Sequence, residues 1–108
     1  VVFISSVSTD LKVPGESVYT ASKAGVEACA ETLRKELQDQ DIKITIIQPG
    51  SVRTPMQGEG HGEKTEAVAR HEMLEPQEIA KAIRYVLTRP AGTMVANLRI
   101  EPLKQNRE

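Results

Sequence analysis

The sequence is short of several things, and each shortage excludes a class of protein. It has one cysteine, Cys29. No internal disulfide framework is therefore available, and a reducing, cytoplasmic setting is the default expectation. Net charge is almost absent, since 14 lysines and arginines stand against 15 aspartates and glutamates. No field of one sign is left to gather nucleic acid or an acidic membrane surface, and neither partner is expected. Long apolar runs are missing as well. Val1 to Ile4 and Ile42 to Ile47 fall far short of the roughly 20 residues that cross a bilayer, and no basic-then-apolar leader precedes them. There is also no initiator methionine, and the chain opens directly on Val1-Val2-Phe3-Ile4. A buried strand is an unnatural beginning, so residues are expected to belong before Val1.

What is present is 108 residues with 39% apolar and 27% charged side chains, the range of one soluble globular domain or a part of one. Val1 to Ser5 is a continuous β-branched and apolar run, the pattern of a parallel strand covered on both faces. Ser6 to Glu16 reads as a loop punctuated by Pro14-Gly15, with Ser17 placed to cap the next helix. Val18, Ala21, Ser22, Gly25, Val26, Cys29, Ala30, Leu33 and Leu37 then recur at spacings of three and four, drawing an apolar to small stripe along one helix. Ile42 to Ile47 turns to β-branched alternation and stops at Pro49-Gly50. A long helix between two such strands implies a parallel βαβ unit.

The stretch from Ser51 to Leu74, with Gly58, Gly60 and Gly62, reads as a mobile excursion holding a short helix over Lys64 to Met73. Pro76 suits the first turn of another helix, whose buried stripe is Ile79, Ala82, Ile83, Val86 and Leu87. Met94, Ala96, Leu98 and Ile100 alternate as in a last strand. The fold class is α/β, in the order strand, helix, strand, helix, strand, and the polar tail 104–108 is expected to be disordered. Three strands with two helices leave a sheet edge and parts of both faces bare, so the chain by itself is expected to be marginally stable.

Chemistry concentrates on the strongest helix. Tyr19 and Lys23 are four residues apart, so their side chains rise from one face near the carboxyl edge of the preceding strand, where open α/β sheets bind ligands. A phenol, with an ordinary pKa of about 10, is a poor proton donor or base at neutral pH, and a neighbouring ammonium favours the phenolate. Alone, such a pair is shared by many helices with an ordinary solvated face.

Its neighbours give it meaning. Val1 to Ser6, then Tyr19-Thr20-Ala21-Ser22-Lys23-Ala24-Gly25, then Pro49-Gly50-Ser51-Val52-Arg53-Thr54 resemble three successive signatures of the classical short-chain dehydrogenase/reductase family. In that family a serine ends one strand, a tyrosine follows thirteen residues later, a lysine four after that, and a proline-glycine pair ends the next strand. Ser6 and Tyr19 keep the thirteen-residue separation.

The resemblance runs from Val1 to about Leu103 and implies the carboxy-terminal part of a doubly wound, Rossmann-like domain binding NAD or NADP. It implies hydride transfer between that cofactor and a small-molecule carbonyl or secondary alcohol. Ser6 would donate to the substrate oxygen, and Ser5, its competitor, should point to the opposite face. Tyr19 would be the general acid and base. Lys23 would assist it and hold the hydroxyls of the nicotinamide ribose. Pro49-Gly50 would let the backbone pass close to a flat ligand. Val52 would grip the nicotinamide carboxamide through its backbone, and Thr54 would add a hydroxyl. Met56 and Met73 are candidates for the substrate side of a lid.

The features such an enzyme needs earlier in its chain are missing. There is no glycine-rich turn to seat a diphosphate, no selector between NAD and NADP, and no asparagine to complete a proton relay. The chain is thus expected to be a partial domain over 1–108, inactive by itself, within a homodimer or homotetramer. Two other readings stay open: a non-catalytic oligomerisation remnant, and an epimerase or dehydratase of the extended branch. Gly58-Glu59-Gly60-His61-Gly62 neither follows a strand directly nor opens a strong helix, and is not taken as a phosphate loop. His61 and His71 are taken as solvated loop residues, and no metal is expected.

Overall fold

The structure is a computed structural model describing residues 1–53 and 66–107. Strand β1 (Val2–Ile4) leads through a short helix α1 (Ser8–Leu11) into the long helix α2 (Ser17–Glu36). A 3-10 turn (Gln38–Gln40), strand β2 (Thr45–Pro49), helix α3 (Pro76–Leu87) and strand β3 (Asn97–Ile100) follow. Residues 66–69 add one helical turn ahead of α3. The strands form a parallel sheet in the order β1-β2-β3, with Phe3 opposite Ile46 and Ile47 opposite Leu98. Parallel neighbours cannot be joined by a tight hairpin, and here each connection carries a helix. The α/β order read from the sequence is the one observed, with α1 added in a stretch expected to be loop.

The core sits on the central strand. Ile44, Ile46 and Ile47 are at most 1% exposed. Ala30 of α2 is buried with Ile44 and Ile46, and Phe3, Leu33 and Leu37 pack around them. Full burial of each isoleucine is worth about 1.5–3 kcal/mol. Polar stitching ties the same layer together. The Arg34 guanidinium, near the end of α2, donates to the Ile44 carbonyl through Nε and Nη2 at 3.2 Å each, and to the Ala96 carbonyl at 2.7 Å. One side chain thus fastens the helix to the segments leading into β2 and β3.

Four local expectations are corrected. Ser17 is the first helical residue of α2; the cap position is Glu16, whose side chain makes no capping bond. The α2 stripe is buried only toward its carboxyl end, where it lies on the sheet. Val18 is 82% exposed, and Ala21, Ser22, Gly25 and Cys29 are exposed too. β1 is an edge strand among the described residues, so that half of the helix overhangs. The strand expected over Ile42 to Ile47 runs instead from Thr45 to Pro49, in register with both neighbours. Leu87 lies outside the buried stripe of α3, whose buried residues are Ala82 and Val86. Among the described residues no helix is long and apolar enough to cross a membrane.

Candidate active site

Strand pairing brings the candidate residues together. Beyond β1 the backbone stays beside β2, with the Ser5 N–H donating to Ile47 at 2.7 Å and the Val7 N–H to Pro49 at 3.1 Å. Ser6 therefore lies next to Pro49-Gly50 at the carboxyl edge of the sheet. The amino-terminal turn of α2 faces the same edge. Between them is an open cleft of about 450 Å³, lined among others by Ser6, Tyr19, Lys23, Pro49, Gly50 and Val52. Residues from three separate stretches of sequence meet at one wall.

Each has a definite local geometry. Ser6 Oγ accepts a hydrogen bond from the Ser8 N–H at 3.1 Å. A hydroxyl has one donor and two acceptor positions, so this bond leaves its proton free to donate into the cleft. Thr9, in α1, holds the Ser6 carbonyl through its hydroxyl at 3.0 Å. The phenol of Tyr19 is half exposed, and Lys23 Nζ stands 5.8 Å from the centroid of its ring. The ammonium itself donates to the Ile4 carbonyl at 3.3 Å, which holds it at the strand end.

Ser5 turns the other way. It is 2% exposed, and its hydroxyl donates to the Glu27 carboxylate and, at 3.4 Å, to the Lys23 carbonyl. Gln48 joins the group, its amide donating to Glu27 at 3.2 Å and to Thr9 Oγ1 at 3.1 Å. This brace ties α2, α1 and the ends of β1 and β2 together behind the cleft. Sequence reading missed it. Glu27 lies one helical turn beyond Lys23, a spacing that could have drawn notice, but nothing local joins it to Ser5 or Gln48.

Val52 is placed by a single parallel bridge to Leu74. The bonds of that bridge come from its neighbours, Leu74 N–H to the Ser51 carbonyl at 2.8 Å and Arg53 N–H to the Leu74 carbonyl at 2.9 Å. Backbone groups alternate in direction along extended chain, so the N–H and carbonyl of Val52 face away from Leu74. Neither has a partner among the described residues. Arg53 clamps the segment by a bidentate pair with Glu75, Nη2 at 2.8 Å and Nε at 3.1 Å from Oε2. Those bonds and the attraction behind them raise the guanidinium above its ordinary value, against a smaller opposing effect of burial.

Gly50 lines the cleft and also lies against another part of the chain. A Cβ there would lie 2.3 Å from Gln105 Oε1 and 2.7 Å from Glu101 Cβ. The glycine thus leaves room for the chain's own tail. Residues 104–107, expected to be disordered, make defined contacts: the Lys104 N–H donates to His71 at 2.8 Å, and Gln105 bonds Ser51. Met73 is half-buried and does not line the cleft. Thr54, Met56, His61 and the glycines of 58–62 lie outside the described residues.

Comparison with known proteins decides the family. A family model described as short chain dehydrogenase matches residues 1–65. The chain belongs to the short-chain dehydrogenase family. An uncharacterised oxidoreductase of Staphylococcus epidermidis is 36% identical to it over 104 residues, covering 95% of this chain and 42% of the relative. A farnesol dehydrogenase of Aedes aegypti is 39% identical over 92 residues, 83% of this chain and 36% of the relative. Among solved structures, a closed form of serine dehydrogenase complexed with NADP+ superposes with a TM-score of 0.81 at 27% identity. That match covers 97% of this chain and 44% of the other. The dehydrogenase relatives it resembles are thus more than twice as long as the chain.

Proposed function

We propose that this chain supplies the proton-transfer part of an oxidoreductase that moves hydride between NAD or NADP and a small-molecule carbonyl or secondary alcohol. The observation that carries the reading is the convergence of Ser6, Tyr19, Lys23 and Val52, whose backbone groups have no partner among the described residues, on one cleft.

These residues fit the nicotinamide half of such a cofactor. Val52 offers one donor and one acceptor, the complement of a carboxamide. Lys23 lies where it can donate to ribose hydroxyls, and Pro49 and Gly50 form the wall beside them. Thr54 is assigned to the same end of the cofactor. When bound, the cofactor supplies or accepts the hydride. The chain's own groups handle the oxygen. Ser6 donates to the substrate oxygen and holds it at the phenol. Tyr19 gives its proton to that oxygen as the carbonyl becomes an alcohol, and takes it back in the reverse direction. Lys23 sets its ammonium beside the phenol ring, 5.8 Å from its centroid. Reduction therefore consumes one carbonyl, one reduced nicotinamide and one proton, and yields an alcohol and the oxidised nicotinamide.

Among the described residues no glycine-rich turn offers a diphosphate seat, so the 108-residue chain alone is assigned no turnover. The ending Asn97-Leu98-Arg99-Ile100-Glu101-Pro102 resembles the branch of short hydroxy-acid and serine dehydrogenases, and with the likeness to serine dehydrogenase it favours a short hydroxy acid as substrate. The exposed flank of α2 with Ala24, Ala28 and Glu31 offers the close approach that a homodimer or homotetramer would use. Met56 and Met73 are left as candidates for a substrate lid.

Lys23→Met in the full-length protein tests the reading. The variant should bind NAD(P)H more weakly and turn over more slowly. Retention of both affinity and rate would contradict the assignment.

A further inference from the structure

The tail that follows β3 is fastened to the turn that follows β2, and the fastening is one side chain. Gln105 Oε1 accepts the Ser51 N–H at 2.8 Å, while its Nε2 donates to Ser51 Oγ at 3.1 Å and to the Asn106 carbonyl at 2.9 Å. One amide thus grips both the backbone and the side chain of the residue just before Val52. The site is shaped for it. Gly50 leaves room that any Cβ would fill, and the Gly50 N–H is held by the Ile100 carbonyl at 2.8 Å.

The tail is in turn held on either side of Gln105. The Lys104 N–H donates to His71, and Arg107 pairs with Glu101 at 2.5 Å. Glu101 also meets Arg99 at 3.3 Å, and Arg99 meets Asp10 of α1 at 3.0 Å. Gln105 and Asn106 both line the cleft.

We infer that Gln105 is a positioning residue for the nicotinamide end of the cofactor: by clamping Ser51 it steadies the segment whose bonds to Leu74 direct the Val52 N–H and carbonyl. Leu74 and the Arg53–Glu75 pair hold Val52 from one side only. Without Gln105, the Ser51 N–H and hydroxyl lose their described partner, and the Val52 groups are directed only by the two bonds to Leu74 on their far side. Gln105 itself does not touch the reacting atoms. The inference rests on the functional reading above, because it presumes that Val52 meets the carboxamide.

The test is equilibrium titration of the full-length protein with NADPH and NADH and with the matching nicotinamide-free fragment, ADP-ribose for NADH or 2′-phospho-ADP-ribose for NADPH, called ADP-ribose below. Gln105→Ala should weaken the preferred reduced cofactor about tenfold, the loss of two neutral hydrogen bonds, and leave ADP-ribose within about twofold. Gln105→Glu keeps acceptors for both the Ser51 N–H and its hydroxyl, and should recover cofactor affinity to within about threefold. Equal weakening of cofactor and ADP-ribose would show a general loosening of the fold and overturn the inference. Unchanged cofactor affinity in Gln105→Ala would overturn it as well, while leaving the reading intact. Failure of the unsubstituted protein to bind either reduced cofactor would instead remove the reading, and the inference with it.

Discussion

Ser5→Ala and Ser6→Ala change neighbouring residues and should have opposite consequences. Ser5 is 2% exposed and its hydroxyl donates to the Glu27 carboxylate, whose other described side-chain partner is the Gln48 amide at 3.2 Å. Removing that hydroxyl takes a charge-assisted bond away from a part-buried carboxylate and should cost about 1.5–3 kcal/mol of stability. Ser6 makes a single bond as acceptor, from the Ser8 N–H at 3.1 Å, beside an open cleft where water can replace it. Its loss should cost only about 0.5–1 kcal/mol. Turnover should rank the other way. The free Ser6 proton is the donor assigned to the substrate oxygen, and losing one preorganised donor of this kind lowers kcat by about a hundredfold to a thousandfold. Ser5→Ala leaves that donor in place and should keep turnover within about tenfold, since only the brace behind the cleft is weakened. Urea unfolding midpoints and kcat, measured on both variants of the full-length protein, give the two rankings. Should Ser6→Ala prove the more destabilising and the more active of the two, the assignment of roles to this pair is refuted.

Two further outcomes follow from contacts outside the cleft. Arg34→Ala should lower stability by about 2–3 kcal/mol, because it strips the charged donor from the Ile44 and Ala96 carbonyls, and Arg34→Lys should recover only part, since an ammonium cannot span both as the planar guanidinium does. Both are read from the urea midpoint. The Glu101 carboxyl is pushed up by desolvation, but hydrogen bonds from Arg107 and Arg99 outweigh this and hold it below its ordinary value. A depressed carboxyl contributes stability above its unfolded value and loses it as pH falls through the folded one. Acid melts should therefore show a component in that low-pH window that Glu101→Gln removes.

Much of this molecule can be read from short-range pattern. The β-branched run at Val2 to Ile4, the spacing of Ala30, Leu33 and Leu37, and Pro76 at a helix start are local signals, and each marks the element that forms there. The site signature is legible for the same reason. Ser6, Tyr19 and Lys23 fall within one strand-to-helix passage, and Pro49-Gly50 closes the next strand. Contacts that arise only on folding leave no such mark. Gln105 meets Ser51 across 54 positions and Arg34 meets Ala96 across 62. Glu27, Ser5 and Gln48 converge from three elements, each of them an ordinary polar residue by sequence. Burial is misjudged where it depends on surfaces elsewhere. The apolar period of α2 correctly marks one face, yet Val18 and Cys29 stay exposed because the described sheet ends at β1. The tail 104–107 is polar and reads as loose, but its polar groups are the ones that fasten it.

The central claim is that Tyr19 transfers the proton while Lys23, Val52 and their neighbours hold the nicotinamide. Single-turnover reduction by Tyr19→Phe in the full-length protein, followed by nicotinamide absorbance with cofactor affinity measured in parallel, tests it most directly. The phenylalanine keeps the ring beside Lys23 and removes only the acidic hydroxyl. Affinity for the reduced cofactor should stay within about threefold while hydride transfer slows by about a hundredfold to ten-thousandfold, the usual worth of a positioned general acid. Hydride transfer at the unsubstituted rate would contradict the claim.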